Sequence, residues 1–310
     1  MTDETTTENL DISLPNYVDL STLPAPQVIE ELDFETIFAE MLADFKERNT
    51  DYDALLESDP VVIALQSCAY REVLLRQRIN EAAKASMLAY ATGSDLDNLA
   101  AFYNVERMLV SEEDLTTTPP TYAVYEDDSR LRLRTQLAME SITTAGSENA
   151  YLYHAFSSSV KIKSVNISSI NAGEVIITIL QNEDTGLADD DLCQEVSDYL
   201  NAEDIRPLTD KVIVQSAELI FYSVKAKMYI YSDPSISVIE EEARTNLEEY
   251  VSKRHKIGEV MATSGIYQAL HTEGVQKIEL IEPTSDITTT NTQATYCEEI
   301  EIEVITVNDE

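Results

Sequence analysis

The side chains best able to ligate a metal or act as base or nucleophile are three histidines, His154, His255 and His271, and three cysteines, Cys68, Cys193 and Cys297, all far apart in the chain. Zinc sites and covalent catalysis need such groups in short, fixed spacings. No CxxC, HExxH, GxSxG or GxxxxGK[ST] pattern occurs. Asp189–Asp191 and Glu240–Glu242 could in principle serve as acid and base. Among 58 acidic residues, however, such pairs arise by chance, and helix starts explain them better. His255 stands in a basic run with Lys253, Arg254 and Lys256, where it reads as a partner for the negative end of a helix. Arg130, Arg132 and Arg134 diverge around a helix, which favours scattered salt bridges over a phosphate clamp, with one of them free to reach a neighbouring subunit. The Asn166–Ile167–Ser168 sequon falls inside a predicted strand. These residues predict no catalytic, metal or cofactor site, and the chain reads as a non-enzyme.

Composition narrows the choices further. The chain has 310 residues and a net charge of −37, with 58 acids against 21 bases. Nucleic-acid binding requires concentrated Lys and Arg, so nucleic acid is excluded as a partner. Seven glycines argue against glycine-rich phosphate loops. No apolar run approaches the roughly 20 residues that cross a bilayer, and the acidic, threonine-rich start is unlike a signal peptide. No membrane partner is expected, and synthesis in the cytosol is. The cysteines read as buried thiols in a reducing compartment.

The element pattern predicts an α+β fold: an N-terminal extended arm and helical domain, followed by two α/β sandwich-like modules with open sheets. Residues 1–58 form the arm and a first amphipathic helix over 33–48, with Phe34, Ile37, Phe38, Met41, Leu42 and Phe45 at helical spacing. Residues 59–158 form a helical domain with one long helix, opened by Asp59–Pro60 and running without glycine or proline to Ala91. Leu65, Cys68, Leu75, Ile79 and Ala83 fall on one side of it, and Tyr70, Leu74 and Leu88 on the other. A helix apolar on two faces is buried either within its own domain or against other chains. Further helices are expected from Ser94, over 127–143, and from Ser147 to about Ser157. Strands alternating with helices, among them the period-two run Val160–Ile170 and the β-branched run Val175–Leu180, then mark residues 159–216 and 217–310 as two modules, the second with a helix capped by Ser237 and Glu240. Residues 285–295 read as a polar loop, and Glu299–Ile305 as a closing strand with one acidic and one apolar face.

Several stretches together carry a resemblance. They are Leu14–Pro15 to Pro24–Ala25–Pro26, Glu57–Ser58–Asp59–Pro60–Val61, Ala89–Tyr90–Ala91–Thr92–Gly93–Ser94–Asp95–Leu96, Asp128–Ser129–Arg130–Leu131–Arg132, Thr144–Ala145–Gly146–Ser147 with Tyr151, and Arg206–Pro207–Leu208–Thr209–Asp210. In this order they resemble the baseplate J-like family of contractile phage tails and related injection particles, over about residues 14–232. The resemblance implies a structural wedge protein with no active site. It also implies partners: a second copy of the chain, a smaller wedge protein joined through a helical bundle, and sheath-initiator or hub-side baseplate proteins, with tail-fibre proteins as further neighbours. Neighbouring wedges would meet through the C-terminal modules, closing a ring around the hub. The implied location is the virion tail, after assembly in the host cytoplasm.

Three readings therefore stand side by side. The first is a wedge protein of a phage tail, a tailocin or an extracellular injection device. In it, Leu65, Cys68, Leu75, Ile79, Ala83, Tyr70, Leu74 and Leu88 are the candidate partner contacts. The others are a cytosolic enzyme with a dispersed acidic site and an acidic adaptor that mimics nucleic acid.

Overall fold

Asp33 ends the arm by turning its carboxylate onto the first turn of a helix, where it accepts from the backbone N–H of Thr36 at 2.9 Å. A computed structural model describes residues 20, 23–24, 26, 30–50, 55–142, 146–202, 205–231 and 236–307. Most of the expected arm lies outside these residues. The described chain is α+β, with eight α-helices and eight strands among the described residues. The described residues divide into two compact units, those up to Glu106 and those from Arg107 onward.

In the first unit, α1 (Phe34–Arg48) packs against α2 (Pro60–Ala85), and the pair buries Ile37, Val62 and Ala69. Pro60 takes the first helical position and Asp59 the N-cap position as expected, but the Asp59 side chain makes no capping hydrogen bond to α2. Its carboxylate instead accepts from the Leu56 N–H at 2.8 Å. The helix is also shorter than predicted, ending at Ala85 rather than Ala91. The Ser86 hydroxyl donates to the Ala83 carbonyl, competing with the backbone ladder, and residues 86–90 turn. A short helix, α3 (Gly93–Ala101), follows and buries Leu96 and Ala100.

The second unit opens with a two-stranded ribbon that sequence patterning missed, β1 (Leu109–Ser111) against β2 (Val124–Tyr125). Then come α4 (Asp128–Leu137), a 3-10 turn at Ala138–Ile142, and α5 (Glu148–Ser158). The first sheet has order β3-β4-β5, with β3 (Ile162–Ser168) and β4 (Glu174–Gln181) antiparallel. β5 (Lys211–Ser216) lies parallel to β4 after a crossover through α6 (Asp190–Leu200). Asp189 caps α6 by accepting from the Leu192 N–H at 2.7 Å, so the Asp189–Asp191 acids are a helix start.

The second sheet is built on β6 (Glu218–Tyr231), with β7 (Val275–Glu282) antiparallel on one side and β8 (Gln293–Val307) parallel on the other. α7 (Ile236–Arg254) and α8 (Thr263–Leu270) cover one face, around Val224, Met228, Ile230, Leu247, Met261 and Ile266. Ser237 lies inside α7 rather than at its cap. On the opposite face, Lys225 pairs with Glu301 and Lys227 with Glu303, a solvated ladder that accounts for the alternating glutamates of β8. β8 begins at Gln293, where a loop was expected, because Gln293–Thr295 pair with Glu218–Ile220. The two sheets are joined by a small core of Leu180, Ala217, Ile257 and Ala294.

Candidate assembly surface

α2 has three faces rather than two. At about 100° per residue, Val62 and Ala69 point one way, Ile63, Tyr70 and Leu74 a second, and Cys68, Leu75 and Ile79 a third, separated by roughly 110–140°. Only the first is buried. Leu75 and Ile79 are 66% and 60% exposed, and Tyr70 57%. Leu74 and Cys68 are also exposed, while Leu65 and Ala83 border the buried face and are half-buried. Leu88 is half-buried in the turn after the helix, off both stripes. The face packed on α1 is the one that sequence reading overlooked. Its small Ala69 lets the helices approach closely but carries little hydrophobic signal.

Between α1 and the second stripe lies a shallow groove of about 660 Å³, lined by Phe34, Ile63, Gln66, Ser67, Tyr70, Arg71 and Leu74. Arg71 and Arg78 stand seven residues apart, midway between the two exposed stripes. α2 carries four bases and two acids, against the strongly acidic balance of the whole chain. Arg76 is committed to Glu72 and Glu30. The end of the arm is tied to the same helix, since Asn80 both accepts from the Glu30 N–H and donates to its carbonyl.

The arginines of α4 behave differently from the expectation of scattered surface bridges. Arg130 and Arg134 are buried and converge on Glu126, also buried. Arg130 further donates to the carbonyls of Phe156, Ser159 and Ile162, satisfying the end of α5. Burial pulls its guanidinium down to about 10. Neither arginine is therefore a bridge to another subunit. Sequence could not foresee this, because the acceptors come from three separate elements.

The Gly146 and Arg206–Asp210 stretches meet in the structure. The Tyr151 hydroxyl donates to Asp210 at 2.9 Å, and burial with this bond pushes the phenol pKa up. Gly146 has φ +73°, and a Cβ there would come within 2.8 Å of Pro207 Cγ and 3.0 Å of Asp210 Oδ2. These residues pin α5 to the segment before β5.

The reactive side chains remain dispersed. His154 lies in α5 against Tyr153 and Tyr199, and His255 at the sheet junction against Tyr296. His271 is exposed after α8. Among the described residues, no three His, Cys, Asp or Glu side chains are grouped as a metal requires. No helix among them is long and apolar enough to cross a membrane. Cys68 is exposed, contrary to the expectation of buried thiols, whereas Cys193 and Cys297 are half-buried and burial raises both thiols.

The Baseplate J-like N-terminal domain matches residues 57–114, which include all of α2, and the Baseplate J-like central domain matches residues 143–216. The chain is also similar to "Baseplate protein J" of Escherichia phage P2, with 43% identity over 292 residues, covering 92% of this chain and 97% of that protein. With that identity along nearly its whole length, and with the Gly146, Tyr151 and Asp210 contacts built from the stretches that first suggested it, the chain belongs to the baseplate J-like family.

Proposed function

We propose that this chain is a structural wedge protein of a contractile phage tail baseplate, without catalytic activity, built to be covered by other subunits. The observation that carries this reading is α2, a helix with one buried face and two exposed apolar stripes. Covering a Leu, Ile or Tyr of this kind gains roughly 1.5–3 kcal/mol each before the costs of association, too much surface to leave in water without purpose. Two stripes separated by an arginine ridge suit two neighbouring helices. They are a second copy of this chain and a smaller wedge protein, completing a helical bundle. The two C-terminal sheets then face neighbouring wedges and close a ring around the hub, where hub-side, sheath-initiator and tail-fibre proteins are further neighbours. The assembled chain resides in the virion tail after assembly in the host cytoplasm.

The test is co-expression with the proteins encoded beside it, read by native mass spectrometry. The Leu75→Asp/Ile79→Asp chain should lose the hetero-oligomer while remaining folded from Arg107 onward. Undiminished co-purification with a wedge partner would overturn the bundle.

A further inference from the structure

The ribbon of β1 and β2 exposes an unusual density of apolar surface. Leu109, Val110, Val124 and Tyr125 of the strands and Leu115 and Tyr122 of the connection are all exposed, Tyr122 at 72%, and the strand residues alternate between the two faces of the ribbon. An isolated two-stranded ribbon is marginal in water, so its order must come from elsewhere. Its tip is held by the paired Asp114 and Thr121 backbones at 2.8 and 2.9 Å and by Thr117. Its base is clamped by buried charge. Glu126 accepts from the Met108 N–H at 3.0 Å while pairing with Arg130 and Arg134, and Arg107 donates to the Glu126 carbonyl and to Asp128. Burying three charges is tolerable only when all are paired, and here the arrangement holds out a ribbon whose own apolar faces stay in water.

No Lys or Arg occurs between Met108 and Ser129, whereas Glu112 and Glu113 are exposed beside the apolar residues. The basic side of this chain, on α2, would be taken up by the proposed bundle, and the rest of a second copy is too acidic to suit such a surface. We propose that residues 108–125 form a docking arm for a different protein, whose apolar groove is rimmed by lysine or arginine. Tyr122 and Tyr125 fill the groove, and Glu112 and Glu113 meet the basic rim.

The experiment places a photo-crosslinking residue at Tyr122 of the full chain, assembles it into tail particles, and identifies the crosslinked peptides by mass spectrometry. The same substitution at Glu241 serves as the exposed control. The expected result is a crosslink to another protein, in a segment where Lys or Arg adjoins apolar side chains. Tyr122→Ser/Tyr125→Ser and Glu112→Lys/Glu113→Lys chains should fold normally, by circular dichroism, yet enter particles roughly tenfold less well. Crosslinks to this chain itself, to its own residues or to a second copy, would overturn the proposal. So would yields no higher than the control, or undiminished incorporation of both variants. The particle is used on the strength of the baseplate reading. Absence of even the unsubstituted chain from particles would sink that reading and the docking arm with it, whereas failure of the arm alone leaves the chain present.

Discussion

Glu126 and Arg130 form a buried ion pair at 3.3 Å, one turn apart across the start of α4, and Arg134 closes on the same carboxylate from the next turn. The group holds four pieces of chain together: the ribbon base, α4, the end of α5 and the start of β3. Removing one partner strands buried charge, which typically costs about 3–5 kcal/mol. Glu126→Gln should therefore lower the urea-unfolding free energy by that order. Arg130→Lys should fare little better, because an ammonium on a single stem cannot reach the carbonyls of Phe156, Ser159 and Ile162 together with the carboxylate. A loss below about 1 kcal/mol in both would show that the group is peripheral to stability.

His255 joins the two sheets, its Nδ1 lying 2.6 Å from the Thr295 carbonyl oxygen. Burial holds its pKa below the usual value; the Thr295 contact opposes this, and Lys163 nearby adds to the lowering. A base depressed in the folded state binds fewer protons there than in the unfolded chain. Stability then rises with pH through the window between the folded value and the ordinary ~6.5, and falls as pH drops through it. Urea titrations at about pH 7.5 and about pH 5.5 should show a loss on acidification that is smaller in His255→Gln. The many carboxylates titrate in both proteins, so the difference between them isolates His255. An unchanged slope would refute the assignment.

Where local pattern and tertiary environment agree, the sequence was informative. β3 and the end of β8 followed from period-two alternation, and β4 from its continuous β-branched run. The glutamates of β8 alternate with Ile300, Ile302 and Val304 because one face meets the core and the other meets the lysines of β6. The readings that failed involve partners far away in the chain. Arg130 and Arg134 read as surface groups because nothing local announces carbonyls more than twenty residues downstream. The ribbon has no buried face, so it left no periodic trace. On α2 the apolar stripes were legible as such, but the face that packs on α1 was hidden behind Ala69 and the short Val62. The helix end at Ser86 was missed because it is set by a side-chain hydrogen bond and not by glycine or proline.

Arg71 and Arg78 supply a charge test of the bundle. Both lie on the exposed side of α2, so Arg71→Glu/Arg78→Glu should change the stability of the isolated chain by no more than about 0.5 kcal/mol. If partner helices lie along both stripes, the same reversal places like charges opposite one another wherever those helices are acidic. The hetero-oligomer should then weaken at least roughly tenfold, and more at low salt than at high salt. Native mass spectrometry across a salt series checks this. Equal affinity at every salt concentration would leave the ridge as ordinary solvated surface.

Gly265 separates helix propensity from packing. It lies inside α8, where glycine ordinarily costs up to about 1 kcal/mol relative to alanine, so propensity alone predicts that Gly265→Ala stabilises the protein. Packing predicts the reverse. A Cβ at this position would lie 2.1 Å from the Tyr250 hydroxyl oxygen and 2.2 Å from its Cζ. The ring is constrained, because the hydroxyl donates to the Ala262 carbonyl at 3.1 Å and the Arg254 guanidinium lies over the ring at 5.7 Å. Relieving the overlap means giving up the hydrogen bond, worth about 1 kcal/mol, and shifting an aromatic packed against the core of the second sheet, for typically 1–3 kcal/mol more. The net expectation is destabilisation by about 1–3 kcal/mol. In a Tyr250→Phe background the cost of Gly265→Ala should change little, since the ring carbons still collide, whereas in a Tyr250→Leu background most of that cost should vanish. A Gly265→Ala chain more stable than its parent in urea would mean that α8 and α7 are not packed as closely as the Gly265–Tyr250 contact requires.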